Sequence, residues 1–183
     1  MLGLVAAQLK YKAENGGVAT TKPIWVDIGG GTGWNIEAMQ EFIDVPTFFG
    51  SIYLVDLSPS LCEVARKRFA RLGWGHVQII CQDARVFRLA GHQADLITMS
   101  YSLSMIPDYY SVVDSITTLL DPTGIIGVID FYVQSVVETS GRNYTGGCLQ
   151  RHVNWLGRSF WRAWFDLDRV GLEGAKRVGL AKV

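Results

Sequence analysis

The chain has 183 residues, 49% of them hydrophobic, and a formal net charge of zero. That size and composition suit one domain with a sizeable core, and a balanced charge gives no global basic field for nucleic acid. No apolar run approaches the roughly 20 residues of a membrane span, and the N-terminus lacks the basic n-region and cleavage site of a secretory signal.

In chain order, "MLGLVAAQLK" reads as a helix with Leu2, Val5, Ala6 and Leu9 on one face. Residues 14–23 carry turn residues and read as a loop. "IWVDI" (24–28) is a buried strand. Residues 34–43 have helical spacing at Trp34, Ile36, Met39 and Ile43. "SIYLVDL" (51–57) is a second strand. Residues 58–73 form a helix with Ser58 as N-cap, Pro59 at the first turn and Gly73 closing it. "HVQIIC" (76–81) and "ADLITMSYS" (94–102) are the third and fourth strands. Residues 107–124 read as a helix stopped by Pro122 and Gly124, and "GIIGVIDFYV" (124–133) as a fifth strand. Strands alternate with helices and are almost continuously apolar, so the pattern predicts an α/β, doubly wound, Rossmann-like parallel sheet covered on both faces.

Ligands of such sheets bind beyond the carboxyl ends of the strands. That is where "VDIGGGTGWN" (26–35) lies. Glycine costs folding entropy, so this cluster needs a reason, and close approach of a ligand to bare backbone is one. A P-loop would need Gly-Lys-Ser/Thr, which is absent. A dinucleotide fingerprint would need glycine where Trp34 stands. The pattern present is Asp27, Gly29, Gly31, Gly33 in D-x-G-x-G-x-G spacing. Asp56 ends the second strand about twenty residues on, where a carboxylate can accept both hydroxyls of a ribose. Asp83 follows the third strand. Cys62, Cys81 and Cys148 have no metal-ligand spacing among themselves or with the three histidines, so no metal site is expected and a reduced intracellular chain fits.

These three strand-end motifs resemble class I S-adenosylmethionine (SAM)-dependent methyltransferases. The resemblance implies SAM as cofactor, with Asp27, Gly29, Gly31 and Gly33 forming the turn under the methionine and ribose. It implies Asp56 on the ribose, Leu57 lining the adenine, and Asp83 with the backbone of Ala84 reading the base. Ser100, after the fourth strand, belongs near the methionine end or the substrate. Trp34 packs either over the cofactor or in the core.

A longer match joins these motifs to "YSLSMIPDYYSVVD", "GVIDFYVQ" and "GRNYTGG…RHVNWLGRSFWRAWFDLDRVGLE". Over roughly residues 24–173 the chain is similar to the methyltransferase half of fungal-type betaine lipid synthases. That family implies N-methylation of the diacylglyceryl-homoserine amine, a lipid substrate, and a separate half or subunit that transfers the aminocarboxypropyl group. It also implies a site of action at the cytoplasmic face of an internal membrane, such as the endoplasmic reticulum, or in the cytoplasm. A methyltransferase of another small molecule and a non-catalytic SAM-binding module are the alternatives; a nucleic-acid methyltransferase is disfavoured because "MSYS" stands where N/D-P-P-Y/F is expected.

Methyl transfer from a sulfonium needs a neutral, aligned amine and exclusion of water. Tyr101 and Asp108 are the candidate catalytic residues, with Tyr109 and Tyr132 beside them as proton acceptors or ring faces for a cationic ammonium. Asp130 is either a strand-end contact or near the substrate, and His152 is a possible base. The segment 142–183 carries 8 Lys/Arg against 3 Asp/Glu, whereas 1–141 carries 9 against 14. Its stretch 148–170 reads as a basic aromatic amphipathic helix that either meets lipid headgroups or packs on the sheet. Residues 1–183 are expected to form one partial methyltransferase domain, without the usual C-terminal strand hairpin, and an uncovered fifth strand would favour self-association.

Overall fold

The computed structural model describes residues 1–15 and 21–130. Helix α1 (Leu2–Asn15) precedes strand β1 (Ile24–Ile28). Helix α2 (Trp34–Ala38) runs into a 3-10 turn at Met39–Glu41, and a short helix α3 (Val45–Phe48) leads to β2 (Ser51–Asp56). Helix α4 (Pro59–Leu72) connects to β3 (Val77–Cys81). Strand β4 (Ala94–Ser100), a 3-10 turn (Leu103–Met105), α5 (Tyr109–Leu119) and β5 (Leu120–Ile129) complete the described order.

The five strands form one parallel sheet in the order β3-β2-β1-β4-β5. Strand order reverses between β1 and β4, and there a crevice opens beyond the carboxyl ends. The core has two layers. On one face Val5, Ala6 and Leu9 of α1, Ile36, Met39, and Ala65 and Phe69 of α4 cover Trp25, Ile52, Leu54 and Leu96. On the other, Val112, Ile116 and Leu119 of α5 cover Val26, Ile28, Ile97 and Met99. Burial on both faces explains why these strands read as unbroken apolar runs.

Helix α4 follows its local signals closely. The Ser58 hydroxyl accepts from the Leu61 amide at 3.4 Å, Pro59 occupies the first turn, and Gly73 ends the helix with φ 70°. Elsewhere tertiary context alters the expected boundaries. The helix expected over 34–43 breaks after Ala38, and Trp34 is 63% exposed while Ile36, Met39 and Ile43 are buried. Pro122 and Gly124 do not stop α5, which ends at Leu119; they lie inside β5, which begins four residues earlier than expected. Among the described strands β5 is an edge, where a residue lacking an N–H is tolerated, and its pairing shifts register between Ala94 and Leu96. Tyr132, His152 and the basic aromatic segment lie outside the described residues.

Candidate functional site

The glycine turn is built by four different constraints. The Gly29 amide donates to the Val55 carbonyl at 2.7 Å, pinning the turn to β2. A Cβ on Gly29 would sit 2.3 Å from the Ser102 Cβ, because the loop after β4 crosses here. A Cβ on Gly30 would meet Leu54 at 2.6 Å, and one on Gly33 would meet Phe69 of α4 at 2.5 Å. Gly31 differs: its φ is +56°, and a Cβ there would meet nothing within 4 Å. Three of the four glycines are therefore demanded by the protein's own packing. Gly31 alone opens onto empty space.

That space is a cavity of about 750 Å³ at the carboxyl ends of the strands. Gly29 and Gly31 form one wall, and Asp56 and Leu57 at the end of β2 form the next. Asp56 accepts from the Gly31 amide through Oδ2 at 2.8 Å and from the Ser58 amide through Oδ1 at 2.8 Å. A carboxylate has about four acceptor sites, so both oxygens keep capacity for an incoming hydroxyl. Asp83 and Ala84, past β3, line the same cavity, as do Tyr101 after β4 and Asp108 before α5. Leu57 is 71% exposed and Met105 53% exposed, so the mouth is apolar.

Two of these acids have evident partners. Asp83 is held below the usual carboxylate range by hydrogen bonds from the side chain and backbone of Arg85. Asp108 caps α5, accepting from the Ser111 hydroxyl at 2.7 Å and its amide at 3.4 Å. Those bonds, and then the nearby Arg85 charge, lower its pKa as well. Asp108 thus caps α5 on the same side of the cavity as Asp83, on its wall.

Several expected residues lie off the cavity wall. Asp27 is fully buried behind Gly30; Thr98 donates to its Oδ1 at 2.6 Å and its Oδ2 has no hydrogen-bond partner. Gly33 is taken up by packing on Phe69. Ser100 pairs with Ile129 inside the sheet rather than facing the cavity. Tyr109 is buried and stacks on Tyr110 with centroids 4.2 Å apart, and burial pushes its phenol up to about 12. Asp130 accepts from the amide and hydroxyl of Ser104 at 2.8 and 2.6 Å, so it is a strand-end contact that fastens the 3-10 turn. Arg85, Gln82, Ser102 and Ile106 line the cavity without having been singled out; each lies beside a motif residue, and only the folded loops turn it inward. Among the described residues no group of three or more His, Cys, Asp or Glu side chains could hold a metal.

A family described as a methyltransferase domain matches residues 5–175. The ubiquinone/menaquinone biosynthesis C-methyltransferase UbiE of Pseudomonas savastanoi pv. phaseolicola is 27% identical over 123 residues, covering 67% of this chain and 46% of that protein. The chain thus spans about half the length of the curated relatives it matches. Among solved structures, YcgJ from Bacillus subtilis superposes with a TM-score of 0.57 at 21% identity, covering 72% of this chain and 50% of that one. The plantazolicin methyltransferase BpumL, solved with a desmethyl substrate analogue and SAH (S-adenosylhomocysteine), gives 0.55 at 17%, covering 71% and 46%. These two likenesses are of fold.

Proposed function

The chain belongs to the methyltransferase domain family, and we propose that it is a SAM-dependent N-methyltransferase whose acceptor is the amine of diacylglyceryl-homoserine. The observation that carries the cofactor is the meeting of Asp56, Asp83 and Gly31 on the wall of one cavity. The donor set fits a nucleoside: a bare amide turn, a strand-end carboxylate for the ribose, and an apolar wall at Leu57 for the base. A second carboxylate beyond that wall suits an exocyclic amine. When bound, SAM would supply an electrophilic methyl group on sulfur.

The residues of this chain then have positional tasks. Gly31 leaves room for the ligand, Asp56 orients the ribose, and the apolar mouth at Leu57, Tyr101 and Met105 excludes water. Orientation and exclusion of water supply most of what a displacement at a sulfonium needs. The betaine-lipid substrate rests on the resemblance over roughly residues 24–173. The same reading makes a lipid surface and an aminocarboxypropyl transferase its partners, at the cytoplasmic face of an internal membrane. No helix among the described residues is long and apolar enough to cross a bilayer.

Two measurements test this on the full chain. Calorimetry with S-adenosylhomocysteine is expected to show saturable binding. Incubation with methyl-labelled SAM and diacylglyceryl-homoserine is expected to yield labelled lipid with up to three methyl groups. Labelling of a demethylated quinone ring, with none of the lipid amine, would overturn the substrate and keep the cofactor.

A further inference from the structure

Arg85 makes an unusual set of contacts for a half-exposed side chain. Its backbone amide donates to Asp83 Oδ1 at 2.9 Å. Its Nε lies 3.1 Å from Oδ1 and 3.0 Å from Oδ2, and Nη2 donates to Oδ2 at 2.6 Å. Nη1 reaches across to Asp108 Oδ2 at 3.7 Å. Asp108 is itself fixed by Ser111 at the start of α5. Arg85 therefore spans from the loop after β3 to α5, and all three residues line the cavity.

Stability does not account for this arrangement. The Arg85 and Asp83 side chains are 47% and 29% exposed, and ion pairs that exposed contribute little to folding. Recognition accounts for it better. Three N–H groups of Arg85, with Nε shared between the two oxygens, set three hydrogens against the roughly four acceptor sites of the carboxylate. The fork also fixes the carboxylate plane. One acceptor site remains, on an ionised and acceptor-only group at the end of the cavity beyond Leu57. A neutral donor such as a 6-amino group would satisfy it. A 6-oxo group would set lone pairs against a carboxylate and leave both unpaired.

We propose that Arg85 is a positioning residue: it holds the Asp83 carboxylate in the one orientation that makes the cavity prefer a 6-amino purine over a 6-oxo purine. This rests on the reading of the cavity as a site for the adenosyl group. Arg85 itself need not touch the ligand.

The test is calorimetry of the full chain with S-adenosylhomocysteine and with S-inosylhomocysteine, which differ only at position 6 of the base. The native chain is expected to prefer the adenosyl compound by about tenfold or more, the scale of one hydrogen bond to a charged group. Arg85→Ala is expected to shrink that preference to within about threefold while leaving affinity for the inosyl compound nearly unchanged. Retained inosyl binding also shows that the variant is folded. Arg85→Lys, which keeps the charge without the fork, is expected to fall between the two and keeps the test open if the alanine variant does not fold. A preference as large in both variants as in the native chain, or equal loss of both ligands in both, overturns the assignment. Native chain that binds neither compound overturns the adenosyl reading itself, a separate and recognisable result.

Discussion

The Oδ2 atom of Asp56 accepts a hydrogen bond from the Gly31 amide at 2.8 Å, so the last residue of β2 holds the turn that follows β1. Its other oxygen holds the Ser58 amide at the start of α4. One carboxylate thus ties together the two loops that a nucleoside would have to approach. Asp56→Asn keeps the shape but removes the charge and replaces one acceptor by a donor facing an amide. Affinity for S-adenosylhomocysteine is expected to fall about tenfold to a hundredfold, the scale of a lost charge-assisted hydrogen bond. Calorimetry measures it, and an unchanged affinity would remove Asp56 from the site.

Gly31 and Gly33 make opposite predictions from the same motif. Gly33→Ala drives a Cβ to 2.5 Å from the Phe69 ring at φ +79°, so it strains the backbone and displaces the α4 packing. Destabilisation of roughly 1–3 kcal/mol is expected. Gly31→Ala has only the backbone strain to bear, about 1 kcal/mol, because its Cβ meets nothing. It projects into the cavity instead. Urea titration is expected to rank Gly33→Ala as the less stable, while calorimetry is expected to show ligand binding lost in Gly31→Ala. The reverse order would mean that Gly31 does not face the ligand.

The contrast between these glycines marks how far local pattern reaches. Asp56 and Asp83 were legible because each follows an apolar run, and the parallel topology brings such ends to one side. The caps of α4 were legible because Ser58, Pro59 and Gly73 act within one turn. What was hidden depends on residues distant in the chain. Phe69 explains Gly33, Ser102 explains Gly29, and Thr98, 71 residues away, explains Asp27. Pro122 looks like a helix stop until β5 is seen to be an edge among the described strands. Arg85 looks like an ordinary surface charge until its fork is seen on Asp83.

Tyr101 takes φ 54°, rare for an aromatic residue, with its amide donating to the Ile129 carbonyl at 2.7 Å. The ring, 46% exposed, forms part of the cavity wall. A ring face that attracts a methylated ammonium is kept by Phe and lost in Ala. Tyr101→Phe is expected to hold kcat/KM within about threefold, and Tyr101→Ala to lower it by about three- to thirtyfold, matching a cation–π attraction of roughly 0.5–2 kcal/mol. Steady-state methyl transfer decides it. A large loss in the Phe variant would assign the work to the phenol oxygen.

Asp27 gives the chain a stability that depends on pH. Trp25 Nε1 donates to Thr98 Oγ1 at 2.7 Å, and that hydroxyl donates on to Asp27 Oδ1, leaving Oδ2 without a partner in a fully buried site. Burial pushes the carboxyl up to about 7, against the lowering effects of Thr98 and Asn35, and the Asp56 charge adds to the rise. The folded state therefore holds this proton more tightly than the unfolded chain, whose value lies near 3.8. The stabilisation is complete below about pH 4 and is lost as pH rises towards 7, by up to ~4 kcal/mol for a rise of this size. Asp27→Asn mimics the protonated form at every pH and should lack this loss. Unfolding free energies from urea titrations at pH 5 and pH 8, taken as the difference between native chain and variant, cancel the contributions of other acids. The native chain is expected to lose ground to the variant between those two pH values, and a difference that stays constant would show that Asp27 is ionised in the fold throughout.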